Sequence, residues 1–86
     1  MKPIVTKPTQ KETQEAKSWP IWEKEESTFP WEYSEKETCL ILKGRAVVKY
    51  GEGTVEFGAG DHVVFPVGLK CTWTIKEKIK KRYNFG

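Results

Sequence analysis

Between Trp19 and Phe85 the chain breaks into short runs rich in Val, Ile, Thr and aromatic residues, each closed off by glycine, proline or small polar residues. Such runs read as β-strands at Ile21–Lys24, Ser27–Tyr33, Glu37–Lys43, Arg45–Tyr50, Thr54–Phe57, His62–Phe65, Lys70–Ile75 and Lys80–Phe85. Eight short strands without a long helix admit an all-β sandwich or barrel and little else. The clearest hairpin joins Arg45–Tyr50 to Thr54–Phe57 through Gly51-Glu52-Gly53. Further turns are expected at Gly58-Ala59-Gly60-Asp61 and Pro66-Val67-Gly68.

With 86 residues there is material for one core only, and a hydrophobic content of 37% is enough to build it. Residues 1–18 are polar and prolyl, with Ile4 and Val5 as their only large apolar side chains. They form an N-terminal extension able to add an edge strand and a short helix. Thr9 and Glu12 stand at the spacing of a capping box, which predicts that helix over Gln10–Lys17. Residues 19–86 then make up the β-barrel domain.

The N-terminus carries no secretory apolar stretch and no run is long enough to span a bilayer, so the chain reads as cytoplasmic, with Cys39 and Cys71 as reduced thiols and no membrane partner. Lys and Glu abound beside one Asn and two Gln, a balance expected of a heat-adapted source. The basic run Lys76–Arg82 lies beside Tyr83 and Phe85, as in a nucleic-acid surface. One strand with charged outer positions is more simply a solvated edge, so no nucleic-acid partner is expected.

Side chains two residues apart share a strand face. Trp31 and Tyr33 therefore point one way, as do Glu37, Cys39 and Ile41, and Cys71, Trp73 and Ile75. These strands offer mixed polar and aromatic faces, the material of a pocket. Thr38, Leu40 and Leu42 on the opposite face call for a second apolar cover, either the barrel's own second sheet or a partner chain.

Glu37, six residues, then Gly44 resembles the end of the first cupin motif, and Gly60, five residues, Pro66, one residue, Gly68 resembles the start of the second. The phrases Trp19-Pro20-Ile21-Trp22-Glu23, Trp31-Glu32-Tyr33-Ser34-Glu35-Lys36-Glu37-Thr38-Cys39, Gly60-Asp61-His62-Val63-Val64-Phe65-Pro66-Val67-Gly68 and Lys80-Lys81-Arg82-Tyr83-Asn84-Phe85 look like those of small single-domain cupins related to the ureidoglycine aminohydrolase cupin domain. The resemblance implies a jelly-roll cupin barrel, a double-stranded antiparallel β-helix with a pocket inside, and a homodimer. Metal-binding cupins place two histidines before the motif glutamate and one after the motif glycine. Those positions here fall on Trp31, Tyr33 and Cys71, so of the usual ligand set only Glu37 is present and no metal or other cofactor is expected.

The expected ligand-binding residues are Trp31, Tyr33, Glu37, Cys39, Phe65, Cys71 and Trp73, holding a small polar metabolite between aromatic walls. Glu37 could act as acid or base if desolvated, or serve as a structural carboxylate bonded to Tyr33 or to a backbone N–H. An enzyme directed at a ureide or sugar would use Glu37 as acid, base or metal ligand, with Cys71 and Cys39 as further donors. The cysteines are equally readable as small buried hydrophobes. His62, beside Asp61 at a turn, is placed on the surface or on the second face.

Overall fold

The computed structural model describes residues 1–86. In chain order the elements are β1 (Ile4–Thr6), α1 (Gln10–Ala16), β2 (Ile21–Lys24), β3 (Ser27–Glu32), β4 (Glu37–Tyr50), β5 (Gly53–Gly58), β6 (His62–Phe65) and β7 (Lys70–Phe85). All seven strands belong to one antiparallel sheet, confirming the all-β cupin barrel expected from the runs. Four of the expected strands fuse in pairs: β4 joins Glu37–Lys43 to Arg45–Tyr50, and β7 joins Lys70–Ile75 to Lys80–Phe85.

That fusion builds the barrel. The first part of β4 pairs with β6 and with the last part of β7, while its second part pairs with β5 and with the first part of β7. β2 joins the late half of β7 and β3 the early half. Both long strands thus run through two halves of the sheet, which fold face to face so that Phe57 of β5 meets Phe65 of β6 with ring centres 6.0 Å apart. The bend lies where β4 slips register against β7, between Ile41 and Ala46. An extra residue on one strand of a pair sharpens twist and bends it.

Gly44 makes the bend possible. Its φ is 88°, and a Cβ there would run into the Lys78 carbonyl oxygen and stand 2.8 Å from that of Glu77. The glycine that closes the first motif is therefore a place where two backbones touch.

The extension before Trp19 is knitted onto the outside. β1 pairs with β6, and α1 begins with the expected capping box, Glu12 N–H donating to Thr9 Oγ1 at 3.1 Å and Thr9 N–H to Glu12 at 2.9 Å. α1 lies against β4, where Ala16 and Leu40 are buried. One expectation needs correction, and another is decided between its alternatives. Leu40 is buried within the single chain, under a helix rather than a second sheet, while Thr38 and Leu42 on the same face stay partly exposed. His62, paired across from Leu40, takes the second-face position of the two expected for it: it is buried beneath the same helix, its Nε2 3.6 Å from Glu12 Oε2. A turn residue beside an aspartate reads as exposed only when nothing packs over it, and α1 does.

Gly44→Ala and Gly60→Ala separate backbone freedom from close contact. Gly60 also has positive φ, at 91°, but open space around it. Its alanine variant should lose about 1–2 kcal/mol, and the Gly44 variant more than about 3 kcal/mol because Lys78 must also move. Urea denaturation of both checks this, and equal losses would show that the bend does not depend on Gly44.

Candidate functional site

β7 supplies the floor of an aromatic cavity in the barrel. Its inward parity, set by Cys71, Trp73 and Ile75, continues past the register slip to Ile79 and Lys81. Lys81 therefore points inside, although it sits in the most basic stretch of the chain. The reading of that stretch as a solvated edge is corrected on two counts: β7 is paired on both sides, and one of its lysines is buried.

Lys81 is held by three groups. Its Nζ lies 2.8 Å from Glu37 Oε2, and 4.7 Å and 4.8 Å from the ring centres of Trp22 and Trp73. The ammonium is thus paired with a carboxylate and flanked by two indole faces, each of which attracts a cation. Glu37 is 3% exposed and Lys81 6% exposed, so neither charge could persist there without the other. The partner of Glu37 is not Tyr33 or a backbone N–H. The Tyr33 hydroxyl instead accepts the Trp73 indole N–H at 3.1 Å.

Around this pair opens a cavity of about 330 Å³. Trp22 of β2, Phe29 and Trp31 of β3, Tyr33, and Trp73, Tyr83 and Phe85 of β7 line it. Trp31 and Phe85 are 49% and 44% exposed and frame the mouth. Tyr33 is fixed by the second motif: its N–H donates to Leu69 O at 2.9 Å, and its carbonyl accepts from Gly68 N–H, whose φ of 86° lets the turn close. Burial, reinforced by the nearby Glu37 charge, pushes the Tyr33 phenol far above its usual range, so it stays neutral.

Of the residues singled out in the sequence, Trp31, Tyr33, Glu37 and Trp73 line this cavity, and Cys39, Phe65 and Cys71 do not. Cys39 is wholly buried in the core behind the floor. Phe65 backs the walls, stacked on Tyr33 at 4.8 Å and tilted against Trp73 at 5.5 Å. Cys71 lies behind Trp31, its Sγ donating to the Trp31 carbonyl at 3.6 Å, in a separate shallow depression. Lys81, Trp22, Phe29, Tyr83 and Phe85 were missed. The parity of Cys71 and Trp73, carried along β7, would have found the residues on that strand.

Metal ligation has little to work with. No three His, Cys, Asp or Glu side chains converge, Glu37 is engaged by an ammonium, and indole offers a cation no lone pair. The side chains at the cupin ligand positions do not fit a transition metal.

With this geometry in hand, the comparisons are specific about family. Residues 11–83 match the family model described as the EutQ-like cupin domain. The chain is similar to a DUF861 family protein from Thermotoga maritima, with 41% identity and a TM-score of 0.94 over 99% of this chain and all of that one. It also resembles ethanolamine utilization protein Q from Salmonella typhimurium, with 22% identity and a TM-score of 0.70 over 76% of this chain. The EutQ protein of Clostridium difficile is similar at 20% identity and a TM-score of 0.70, again over 76%. The chain spans about half the length of these EutQ proteins, 53% and 52%, and at such identity they show the fold alone. No curated protein matches the chain.

Two measurements check the floor of the cavity. Lys81→Met leaves a buried carboxylate unpaired and should cost about 3–5 kcal/mol, whereas Glu37→Leu combined with Lys81→Met should recover most of that loss. Equal losses from the single and double variants would show that the pair is not coupled. Cys39 gives a pH signature. Burial pushes its thiol up to about 12, against the partial opposition of Lys81. The unfolded thiol ionises from about 9.0 while the folded one keeps its proton, so the stabilisation is complete below pH 9 and is lost as pH rises toward 12. Cys39 should contribute on the order of 1 kcal/mol per pH unit to the slope there, and Cys39→Ala should be shallower by that amount, the buried Tyr33 and Cys71 keeping their own share.

Proposed function

The chain belongs to the EutQ-like cupin domain family, and on that premise we propose that it binds a small polar metabolite inside its barrel without a transition metal. The observation that carries this reading is the Glu37–Lys81 pair at the floor of an otherwise aromatic cavity open at Trp31 and Phe85. Apolar walls with a few convergent polar groups are the usual make-up of a small-molecule site, and about 330 Å³ falls at the lower end of their size range. Trp31, Tyr33 and Trp73 are the walls, with Glu37 and Lys81 as the polar contacts. The narrower likeness to cupins related to the ureidoglycine aminohydrolase cupin domain belongs to this reading and rests on the phrases between Trp19 and Phe85. Enzymatic use of Glu37 as acid or base has less support, since Oε2 is already paired with Lys81.

Self-association belongs to the same proposal. With Leu40 covered internally, its support shifts to the edge strand β1, where Ile4 is exposed and one row of backbone groups is unpaired. Sedimentation at micromolar concentration should give twice the 10.0 kDa chain mass, and a monomer would remove this part of the reading.

Native mass spectrometry and metal analysis on protein purified without chelator, followed by a thermal-shift screen of small metabolites, test the main proposal. The expected result is far less than one metal ion per chain, together with a Tm gain of roughly 10 °C when one ligand class is present at about 100 times its Kd. One ion per chain whose removal by a chelator lowers Tm would overturn it.

A further inference from the structure

Glu37 and Lys81 are the only charged residues among those that line the cavity, and they neutralise one another. Beyond that contact neither has a hydrogen-bond partner in the protein, yet no fully buried side-chain nitrogen or oxygen is left unsatisfied. The partnerless Oε1 of Glu37 is therefore open to the cavity, and Lys81 lines the same cavity beside it. A carboxylate offers about four lone-pair sites and an ammonium three N–H groups, so each can serve a ligand while keeping its partner.

The floor thus presents an acceptor and a donor side by side, with Oε2 and Nζ 2.8 Å apart, at the foot of an aromatic slot. A carboxylate ligand would gain Lys81 but meet Glu37, and an ammonium ligand would gain Glu37 but meet Lys81. Either would bring an uncompensated charge out of water into an aromatic cavity, which is costly. A neutral group that donates and accepts along one edge suffers neither penalty. In a cis amide the nitrogen and oxygen lie about 2.3 Å apart from ordinary bond lengths, close enough to 2.8 Å for two roughly parallel hydrogen bonds.

We infer that the site selects a neutral, planar ring carrying an N–H and a C=O on one edge, a lactam or cyclic imide, with its N–H on Glu37, its carbonyl on Lys81 and its faces against the aromatic walls. This rests on the cavity being a ligand site, as proposed above. Discrimination should be sharp, because an analogue that lacks the N–H leaves the Glu37 acceptor unfilled in a dry site.

Oxindole and N-methyloxindole are suitable probes, with benzoate and benzylammonium as charged counterparts. Binding is read by quenching of tryptophan fluorescence, since Trp22, Trp31 and Trp73 line the cavity, and by thermal shift. Oxindole should bind at least about tenfold more tightly than each of the other three. In the double variant Glu37→Leu with Lys81→Met, in which two apolar residues replace the pair and which can therefore be expected to fold, the two oxindoles should bind alike. If wild type binds both oxindoles equally, or binds a charged ring more tightly, the lactam assignment fails while the cavity remains a ligand site. If the double variant still prefers oxindole, the pair is not what reads the edge and the assignment fails. If no ring quenches or shifts the wild type, both the assignment and the ligand-site reading fall.

Discussion

The barrel depends on β4 and β7 staying hydrogen-bonded to each other while both turn a corner. Each strand takes part in two halves of the sheet, so their mutual pairing ties the floor of the cavity to its roof. A sheet bends this sharply only where register slips and a residue can be spared its Cβ. Gly44, packed on the Glu77 and Lys78 carbonyls, provides that place. Across the slip β7 keeps strict alternation, so that Ile79, Lys81 and Tyr83 share the inward parity of Trp73, and this brings a lysine under the aromatic walls.

Much of this was legible in the sequence. The strand runs, the capping box at Thr9 and Glu12, the two motif glycines and the shared face of Trp31 and Tyr33 are local signals, and the structure carries them. Lys81 was hidden because charge and parity disagree there. Its neighbours Lys76, Lys78 and Lys80 face outward, and only strict alternation separates it from them. For His62 the sequence left surface and second face open for a different reason, since burial by α1 is a long-range contact that a turn sequence cannot announce. Cys71 and Cys39 share the parity of the lining residues, but depth along a strand decides whether a side chain meets the cavity or the core, and parity says nothing of depth.

The aromatic content has two roles that the sequence alone could not divide. Phe57 and Phe65 are buried and hold Trp73 from behind, with ring centres at 5.3 Å and 5.5 Å. Trp31 and Phe85 stand half exposed at the mouth. A tilted or edge-on packed cluster fixes the orientation of Trp73, and a rigid indole in turn presents one face to Lys81 and donates its N–H to Tyr33. Core packing and cavity shape are therefore one network, and the rings that never touch a ligand still set the geometry of those that could.

A carboxylate at the bottom of an aromatic cavity must be balanced by positive charge. The cupin motif places Glu37 there, and where related barrels set imidazoles around a cation this chain sets indole, phenol and thiol. The balance comes instead from Lys81, whose ammonium is covalently tethered to the fold and held between Trp22 and Trp73. A metal in such a place would be a Lewis acid with open coordination positions. A tethered ammonium has no open coordination position: it donates hydrogen bonds and fixes the carboxylate that accepts them. On the reading proposed above, that pair of fixed, opposite charges would read the hydrogen-bonding edge of what enters, and the surrounding rings its flatness.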